Sequence, residues 1–239
     1  MHVQLLYFDG CPNWQETDQR LREAIRVAGL DVTPEYVTVP TLEDAERLHF
    51  RGSPTVLLDG ADPFGGKTAA FGLSCRVFQT PDGLRGAPTV AQLIAALLDD
   101  PRVESVARYW ADAWSAGRVE VLGQFYAGSF RENDAELTPE EFGGHLLRWR
   151  EKFPDFRAEL VRVWSTPETV ITRVVYSGTH LGDFTFLPAT GRSVRSSGLD
   201  VFEFDQQGQV VQHWHETDHW DLFEQLGVTA SAARETDSP

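Results

Sequence analysis

The chain has 239 residues and 41% hydrophobic content, which is ordinary for a soluble protein with one large domain or two small ones. Its formal net charge of −15, without any run of Lys and Arg, argues against nucleic acid or an anionic membrane as partner. Two cysteines are too few for a secreted disulfide scaffold. With no basic leader and no apolar run long enough to span a bilayer, the expected location is cytoplasmic.

The first hundred residues alternate predicted strands with predicted helices. A continuous apolar run at 3–8 predicts the first strand, and a helical pattern that ends at Gly29 predicts the first helix. Further strands are predicted at 31–39, 54–58 and 74–79, with helices at 42–50 and 90–98. The order βαβαββα predicts an α/β domain over residues 1–99.

Two features of this domain carry a family resemblance. Cys11 follows the first strand at the turn into the first helix, and Ser53-Pro54-Thr55 leads into the third strand. With the element order, these residues make the segment similar to the thioredoxin fold, which implies a cis-Pro54 facing Cys11. Where that family carries a second cysteine three residues on, this chain has Trp14, so an ordinary dithiol cycle lacks its resolving thiol.

The second cysteine, Cys75, is predicted near the start of the fourth strand. If that strand returns antiparallel to the third, Cys75 lies at the end of the sheet away from Cys11, on the order of 15 Å distant. A disulfide tolerates a Cα separation of about 7 Å, so pairing would require an unexpected path of the loop 59–73. Both cysteines are expected to be small buried hydrophobic residues, with a redox or metal-thiolate role for Cys11 as the alternative.

A domain boundary is predicted at Asp99-Asp100-Pro101, because the residue before a proline is disfavoured in a helix. The second domain is predicted at 101–228, followed by a flexible tail at 229–239. It opens with helices, one of them started by a capping box at Thr138 and Glu141. Strands are then predicted at 157–164, 169–178, 183–186, 193–204 and 209–216, with a last helix at 218–226. Helices followed by an antiparallel meander predict an α+β layout.

Several short motifs in the second domain resemble the SnoaL-like family of polyketide and ester cyclases. They are Phe153-Pro154-Asp155, Gly178-Thr179-His180, Pro188 to Gly191, Gly198 to Phe202, His213-Trp214 and Leu226-Gly227. The resemblance implies a cone-shaped barrel of the nuclear-transport-factor-like superfamily, with helices and a curved sheet around an apolar pocket. It also implies a homodimer and a cofactor-free, aldol-type ring closure, in which an acid two residues after the His of His-Trp is the general acid/base. This chain has His215 at that position.

Strand alternation places His213 and His215 on one face, and a hairpin brings Asp200 to them. A four-residue loop at 205–208 would set Asp200 opposite His213, and a two-residue loop at Gln207-Gly208 would set it opposite His215. Either loop also puts Phe202 and Val211 on that face. A carboxylate that orients a histidine gives a base near neutral pH, so His215, then His213, with Asp200, are the candidate catalytic residues.

Large side chains with predicted inward positions are expected to line the pocket: His180, Tyr176, Trp110, Trp114, Trp149 and Phe202. Asp218 is expected to cap the last helix. The predicted partner is a small apolar or aromatic carbonyl compound, and the resemblance implies that no cofactor is needed. No metal is expected, because no two clear ligands share a helical i, i+4 spacing toward the cavity. A non-catalytic ligand-binding or dimerisation module is the alternative.

Overall fold

The computed structural model describes residues 1–65, 71–184 and 186–228. The chain divides into two compact units, Met1–Glu104 and Ser105–Pro239. The tail predicted at 229–239 lies outside the described residues. None of the helices in the described part of the chain is both long and apolar enough to cross a membrane.

In its described residues, the first unit combines a small mixed sheet with three helices. Its elements are β1 Val3–Tyr7, α1 Asn13–Ala28, β2 Glu35–Thr38, α2 Leu42–Arg47, β3 Thr55–Leu58, β4 Phe78–Thr80, β5 Gly83–Arg85 and α3 Val90–Leu98. The sheet has the order β2-β1-β3, with β2 parallel and β3 antiparallel to β1. The strand predicted at 74–79 is instead a short hairpin of β4 and β5, whose turn places Gly83 at φ +90°.

Apolar spacing explains how the helices of this unit pack. Helix α1 buries Leu21, Ile25 and Ala28 on one face and packs against α3. It ends at Gly29 in the left-handed conformation, as the sequence predicts. Helix α3 begins at a capping box in which Thr89 and Gln92 bond each other's backbone amides.

The segment 72–76 runs alongside residues 50–53 in the same direction. The amide of Gly72 donates to the carbonyl of Phe50 at 3.0 Å, and Ser53 forms a parallel bridge with Cys75. The prediction that Cys75 lies at the far end of the sheet is therefore wrong, because its segment pairs in parallel with the residues before β3 instead of returning antiparallel to β3. Cys75 is also exposed, whereas Cys11 is buried as expected.

The second unit is a six-stranded sheet covered by helices. Its elements are α4 Arg102–Arg108, a π-helical segment Tyr109–Ser115, a 3-10 turn Val119–Val121, α5 Leu122–Phe125, β6 Tyr126–Glu132, β7 Ala135–Leu137, α6 Pro139–Lys152, β8 Arg157–Ser165, β9 Thr169–Thr179, β10 Ser193–Phe204, β11 Val210–Thr217 and α7 His219–Leu226. The strand order is β7-β6-β11-β10-β9-β8, antiparallel except for the β6–β11 pair. The predicted capping box at Thr138 and Glu141 is confirmed.

Two differences from the predicted strands matter for the site. Strands β6 and β7 were not predicted, and β6 places Tyr126 and Glu132 next to β11. The predicted strand 183–186 contains Thr185, which is not among the described residues, and Phe184 and Leu187 beside it form an isolated bridge. The inward side chains of β10 alternate with outward ones, so Ser196, Asp200 and Phe202 are buried under the helices.

Candidate active site

A cavity of about 290 Å³ lies between the sheet and the helices of the second unit. Aromatic rings form most of its wall, among them Trp110, Trp114, Trp149, Phe153 and Phe156. At one end it meets a cluster of polar side chains: Glu132, Tyr176, Asp200, His213 and His215. Such a site suits a mostly apolar molecule held in place by a few polar groups.

The β10–β11 hairpin brings Asp200 to both histidines. Asp200 is the register partner of His215, one of the two predicted arrangements. The hairpin does not use the predicted two-residue turn, since Phe204 pairs with Val210. A bulge, where the register shifts between Glu203 and Phe204, then sets Asp200 opposite His215.

Strand β11 is also irregular where it pairs with β6, because the register shifts between Val210 and Gln212. As a result Val210 is fully buried, while Val211 is 36% exposed. The prediction that Val211 shares the inner face with the histidines is wrong, because one extra residue reverses the alternation. His213 and His215 follow the irregularity, so their shared face is unaffected.

His213 is held at both ring nitrogens. Its Nε2 lies 3.0 Å from Oδ1 of Asp200 and its Nδ1 lies 2.9 Å from the hydroxyl of Tyr126. Asp200 and His213 are each 2% exposed. With an ionised carboxylate, Nε2 donates to Asp200 and Nδ1 accepts from Tyr126, so the partners fix one tautomer. Neither ring nitrogen is left for a ligand.

The other oxygen of Asp200 also has a partner. The hydroxyl of Tyr176 donates to Oδ2 at 3.3 Å, and burial together with the charge of Asp200 raises the pKa of Tyr176. The phenol therefore stays protonated at neutral pH. Gly198 makes room for it, since a Cβ there would lie 2.8 Å from the Tyr176 hydroxyl oxygen.

A second pair of hydroxyl groups extends this polar cluster. Tyr109 accepts from the indole N–H of Trp114 at 2.7 Å and packs edge-on against the ring of Tyr126, with centroids 5.8 Å apart. Burial raises the pKa of both tyrosines well above the usual range, so both remain neutral donors. We call Tyr126, His213, Asp200 and Tyr176 the buried network.

His215 has a different environment two residues along the strand. Its side chain is 32% exposed, and its backbone amide donates to Oδ1 of Asn133 at 3.0 Å. Nδ1 is buried and lies 3.5 Å from Oε1 of Glu132 without forming a hydrogen bond. Nε2 is therefore the ring nitrogen left for a molecule in the cavity.

The protonation of His215 follows from its surroundings. Desolvation, and then the neighbouring His213, lower the pKa of His215, and these effects outweigh the acids Glu132 and Asp200. The imidazole is therefore neutral at pH 7 and can accept a proton. Among the described polar groups at this end of the cavity, His215 combines an available nitrogen with a suitable protonation state.

The predicted lining residues divide into two groups. Trp110, Trp114, Trp149 and Tyr176 lie in the cavity wall. Phe202 is fully buried and stacks on the ring of His213, with centroids 4.4 Å apart, so it supports the histidine from behind.

His180 does not line the cavity in the described structure, which contradicts the prediction. Its side chain is completely buried, its Nδ1 lies 3.1 Å from Oγ1 of Thr190, and its ring stacks on Phe184. The loop after β9 folds over this residue, so its inward strand position leads into the core instead of the cavity.

Several site residues were not found from the sequence: Tyr109, Tyr126, Glu132 and His145. The spacing of Tyr126 and Phe130 before the Asn133-Asp134 turn is a hairpin signal that would have indicated β6. Asp218 caps α7 as predicted, accepting from the amide of Asp221 at 2.9 Å. It thereby places His219 at the first helical position, beside the cavity.

No group of three or more His, Cys, Asp and Glu side chains in the described part of the chain is arranged to hold a metal ion. Cys11 and Cys75 belong to the first unit and are not part of this cavity.

The family model of SnoaL-like polyketide cyclases matches residues 104–226, just over half of the chain. The chain belongs to this family. The matched residues contain every described wall residue of the cavity, and their sheet and helices form the cone-shaped α+β fold of the SnoaL-like proteins.

Solved structures resemble the same SnoaL-like fold. TsrD from Streptomyces laurentii is 24% identical, covers 54% of this chain and 96% of its own, and superposes with a TM-score of 0.50, which shows the fold alone. IdmH from Streptomyces antibioticus is 26% identical over 54% of this chain and 99% of its own, with a TM-score of 0.48. A SnoaL-like polyketide cyclase from Agrobacterium tumefaciens is 21% identical over 53% and 98%, with a TM-score of 0.47. No curated protein matches the chain significantly.

Proposed function

We propose that the second unit catalyses cofactor-independent acid–base chemistry of the cyclase or isomerase type on a small apolar carbonyl compound. The observation that carries this proposal is the position of His215, whose Nε2 is left available at the polar end of an aromatic cavity and whose pKa is lowered by burial. Membership of a polyketide cyclase family supports the reaction class.

In the proposed reaction, Nε2 of His215 removes a proton from the carbon next to a substrate carbonyl. The electrons of the C–H bond pass to the carbonyl oxygen as an enolate, whose carbon then attacks a second carbonyl of the same molecule. The alkoxide that forms takes the proton back from His215, so the ring closure consumes no oxidant, reductant or external proton. In an isomerisation the same proton returns to a different carbon.

The buried network supplies the setting for His215 and does not exchange protons with the substrate. Asp200, the register partner of His215, is held in place by hydrogen bonds with His213 and Tyr176. Its negative charge favours the protonated form of His215 that the first step creates. Asp200 and His213 are therefore positioning residues, and His215 is the proton carrier.

The proposal can be tested without knowing the natural substrate. Apolar aromatic ketones and β-dicarbonyl compounds are incubated with the full-length protein in heavy water, and deuterium uptake next to the carbonyl is followed by NMR. We expect His215→Gln to slow the enzyme-dependent exchange by at least about 100-fold, since that is the lower range for a general base. His2→Gln, an exposed histidine of the first unit, is the matched control and should leave the rate unchanged.

Two results would contradict the proposal. Exchange at the wild-type rate in His215→Gln would remove His215 from the chemistry. Tight binding of these compounds without any exchange would favour the alternative, a non-catalytic ligand-binding module. The homodimer implied by the resemblance stays a prediction, which sedimentation velocity can test.

We also propose that residues 1–99 form an accessory thioredoxin-like domain. The sheet order β2-β1-β3, with a helix after each of the first two strands, supports this proposal. So does the position of Cys11, whose Sγ lies 3.5 Å from the carbonyl oxygen of Ser53 just before Pro54. The Ser53–Pro54 peptide bond is cis, as the resemblance implies.

A further inference from the structure

The two cysteines of the chain approach the same residue, Ser53, from different segments. The thiol of Cys11 lies 3.5 Å from the Ser53 carbonyl oxygen, and that oxygen also accepts from the amide of Arg76 at 2.9 Å. The amide of Ser53 donates to the carbonyl of Ser74 at 2.8 Å. Both peptide groups that flank Cys75 are thus bonded to the residue that Cys11 touches.

These contacts place the segment of Cys75 directly beside the residue that the Cys11 thiol touches. Neighbouring strands lie about 4.8 Å apart, so the bridge places the backbone of Cys75 one strand spacing from Ser53. Disulfides join Cα atoms about 4.4 to 6.8 Å apart. The proposed bond requires the exposed side chain of Cys75 to turn toward Cys11, with the backbone hydrogen bonds on both sides of Cys75 kept.

The segment that carries Cys75 is anchored on both sides of the cysteine. The guanidinium of Arg76 is buried and donates to both carboxylate oxygens of Asp62, at 2.8 and 3.2 Å, and to Oγ1 of Thr55 at 3.2 Å. Gly52, at φ +112°, allows the close approach, because a Cβ there would lie 2.8 Å from the carbonyl oxygen of Ser74. These contacts keep Cys75 beside Ser53.

The two thiols differ in access to solvent. Cys75 is exposed, whereas Cys11 is 3% exposed. A dissolved disulfide can therefore reach Cys75 directly but not Cys11, since exchange requires a thiolate to approach a sulfur atom in line. Exposed Cys75 is therefore suited to react first with a dissolved disulfide, and buried Cys11 is suited to resolve the mixed disulfide that forms.

We propose that Cys75 and Cys11 form a reversible dithiol–disulfide pair whose partner is a small soluble disulfide. The thiolate of Cys75 attacks one sulfur of that disulfide, which breaks the S–S bond, releases one thiol and leaves a mixed disulfide on Cys75. The thiolate of Cys11 then attacks the Cys75 sulfur, releases the second thiol and closes the Cys11–Cys75 bond. The protein loses two electrons and two protons, and the partner disulfide is reduced to two thiols.

The test uses the reduced full-length protein and oxidised glutathione, followed by intact-mass and peptide mass spectrometry. The wild type should lose the mass of two hydrogen atoms, retain no adduct and yield a linked Cys11–Cys75 peptide pair. Cys11→Ser should stop at the first step and accumulate one glutathione on Cys75. Cys75→Ser should react at least about tenfold more slowly than the wild type, because its remaining thiol is buried.

A wild type that retains glutathione on Cys75, or that forms disulfide-linked dimers, would overturn the proposal. Equal reactivity of the two single variants would overturn the assigned order of attack. Circular dichroism checks that each variant is folded, and the linked peptide pair from the wild type decides the question even if Cys11→Ser does not fold. Because both cysteines lie in the first unit, the outcome is independent of the activity proposed for His215.

Discussion

Two histidines on one strand face, two residues apart, have opposite environments. The ring of His213 is buried and bonded at both nitrogens, while the ring of His215 borders the cavity with no hydrogen bond to its buried nitrogen. In register Asp200 is opposite His215, yet its carboxylate bonds His213. Residue type and strand face thus do not decide which histidine is available for chemistry; the partners of each ring nitrogen do.

The largest effect is expected when the buried network loses its charge. Asp200→Ala leaves the ring N–H of His213 and the hydroxyl of Tyr176 without their acceptor, so we expect the free energy of unfolding to fall by about 3 kcal/mol. Urea denaturation measures the loss.

Glu203→Ala is the control for this substitution. Glu203 lies on the same strand and is exposed, and it accepts from the indole of Trp214 at 3.2 Å, so we expect a change within about 0.5 kcal/mol. Similar values for the two variants would show that the buried network does not stabilise the fold.

A smaller effect should separate the two tyrosines that end the network. Tyr126→Phe removes a bond of 2.9 Å to His213 inside the core, and we expect a loss of about 2 kcal/mol in stability. Tyr176→Phe removes a longer bond, 3.3 Å to Asp200, at the cavity wall, and we expect about 1 kcal/mol. The reverse order in thermal or urea unfolding would contradict this comparison.

The smallest effect concerns the pH dependence of stability and comes from His215. Its pKa in the folded protein lies below the usual 6.5, so below that pH the unfolded chain takes up a proton that the folded chain does not. Stability is therefore lost as the pH falls through this range, and the loss ends once the folded pKa is passed.

The measurement compares wild type with His215→Gln, which cannot titrate at this position. Between about pH 7.5 and about pH 5.5, we expect the free energy of unfolding to fall further in the wild type than in the variant. The difference should stay below about 1 kcal/mol, because the side chain is partly solvated. An equal pH dependence in both proteins would show that burial does not perturb this imidazole.

Local sequence signals predicted much of the second unit. The caps at Thr138 and Asp218 are set by short-range hydrogen bonds, and strand alternation was enough to place Asp200, His213 and His215 on one face. The resemblance to the cyclases rested on motifs within the residues that the family model matches.

The remaining features depend on contacts between distant segments. Tyr126 is 87 residues from His213 in sequence, and no local pattern indicates that β6 inserts beside β11. The bulges that direct Val211 outward arise from pairing with two different strands. Cys75 was misplaced because the prediction returns its segment antiparallel to β3, whereas residues 72–76 pair in parallel with residues 50–53, an alignment set by hydrogen bonds between distant residues.

The hydrogen bonds at both ring nitrogens of His213 have a spectroscopic consequence. The ring N–H of His213 is buried and donates to Asp200, so it exchanges slowly with water and we expect a sharp NMR resonance from it, whereas the partly solvated ring of His215 should give none. His213 lines the cavity, so a ligand bound at the polar end should shift this resonance. The protein therefore carries its own reporter for binding, which can be read before any substrate is known.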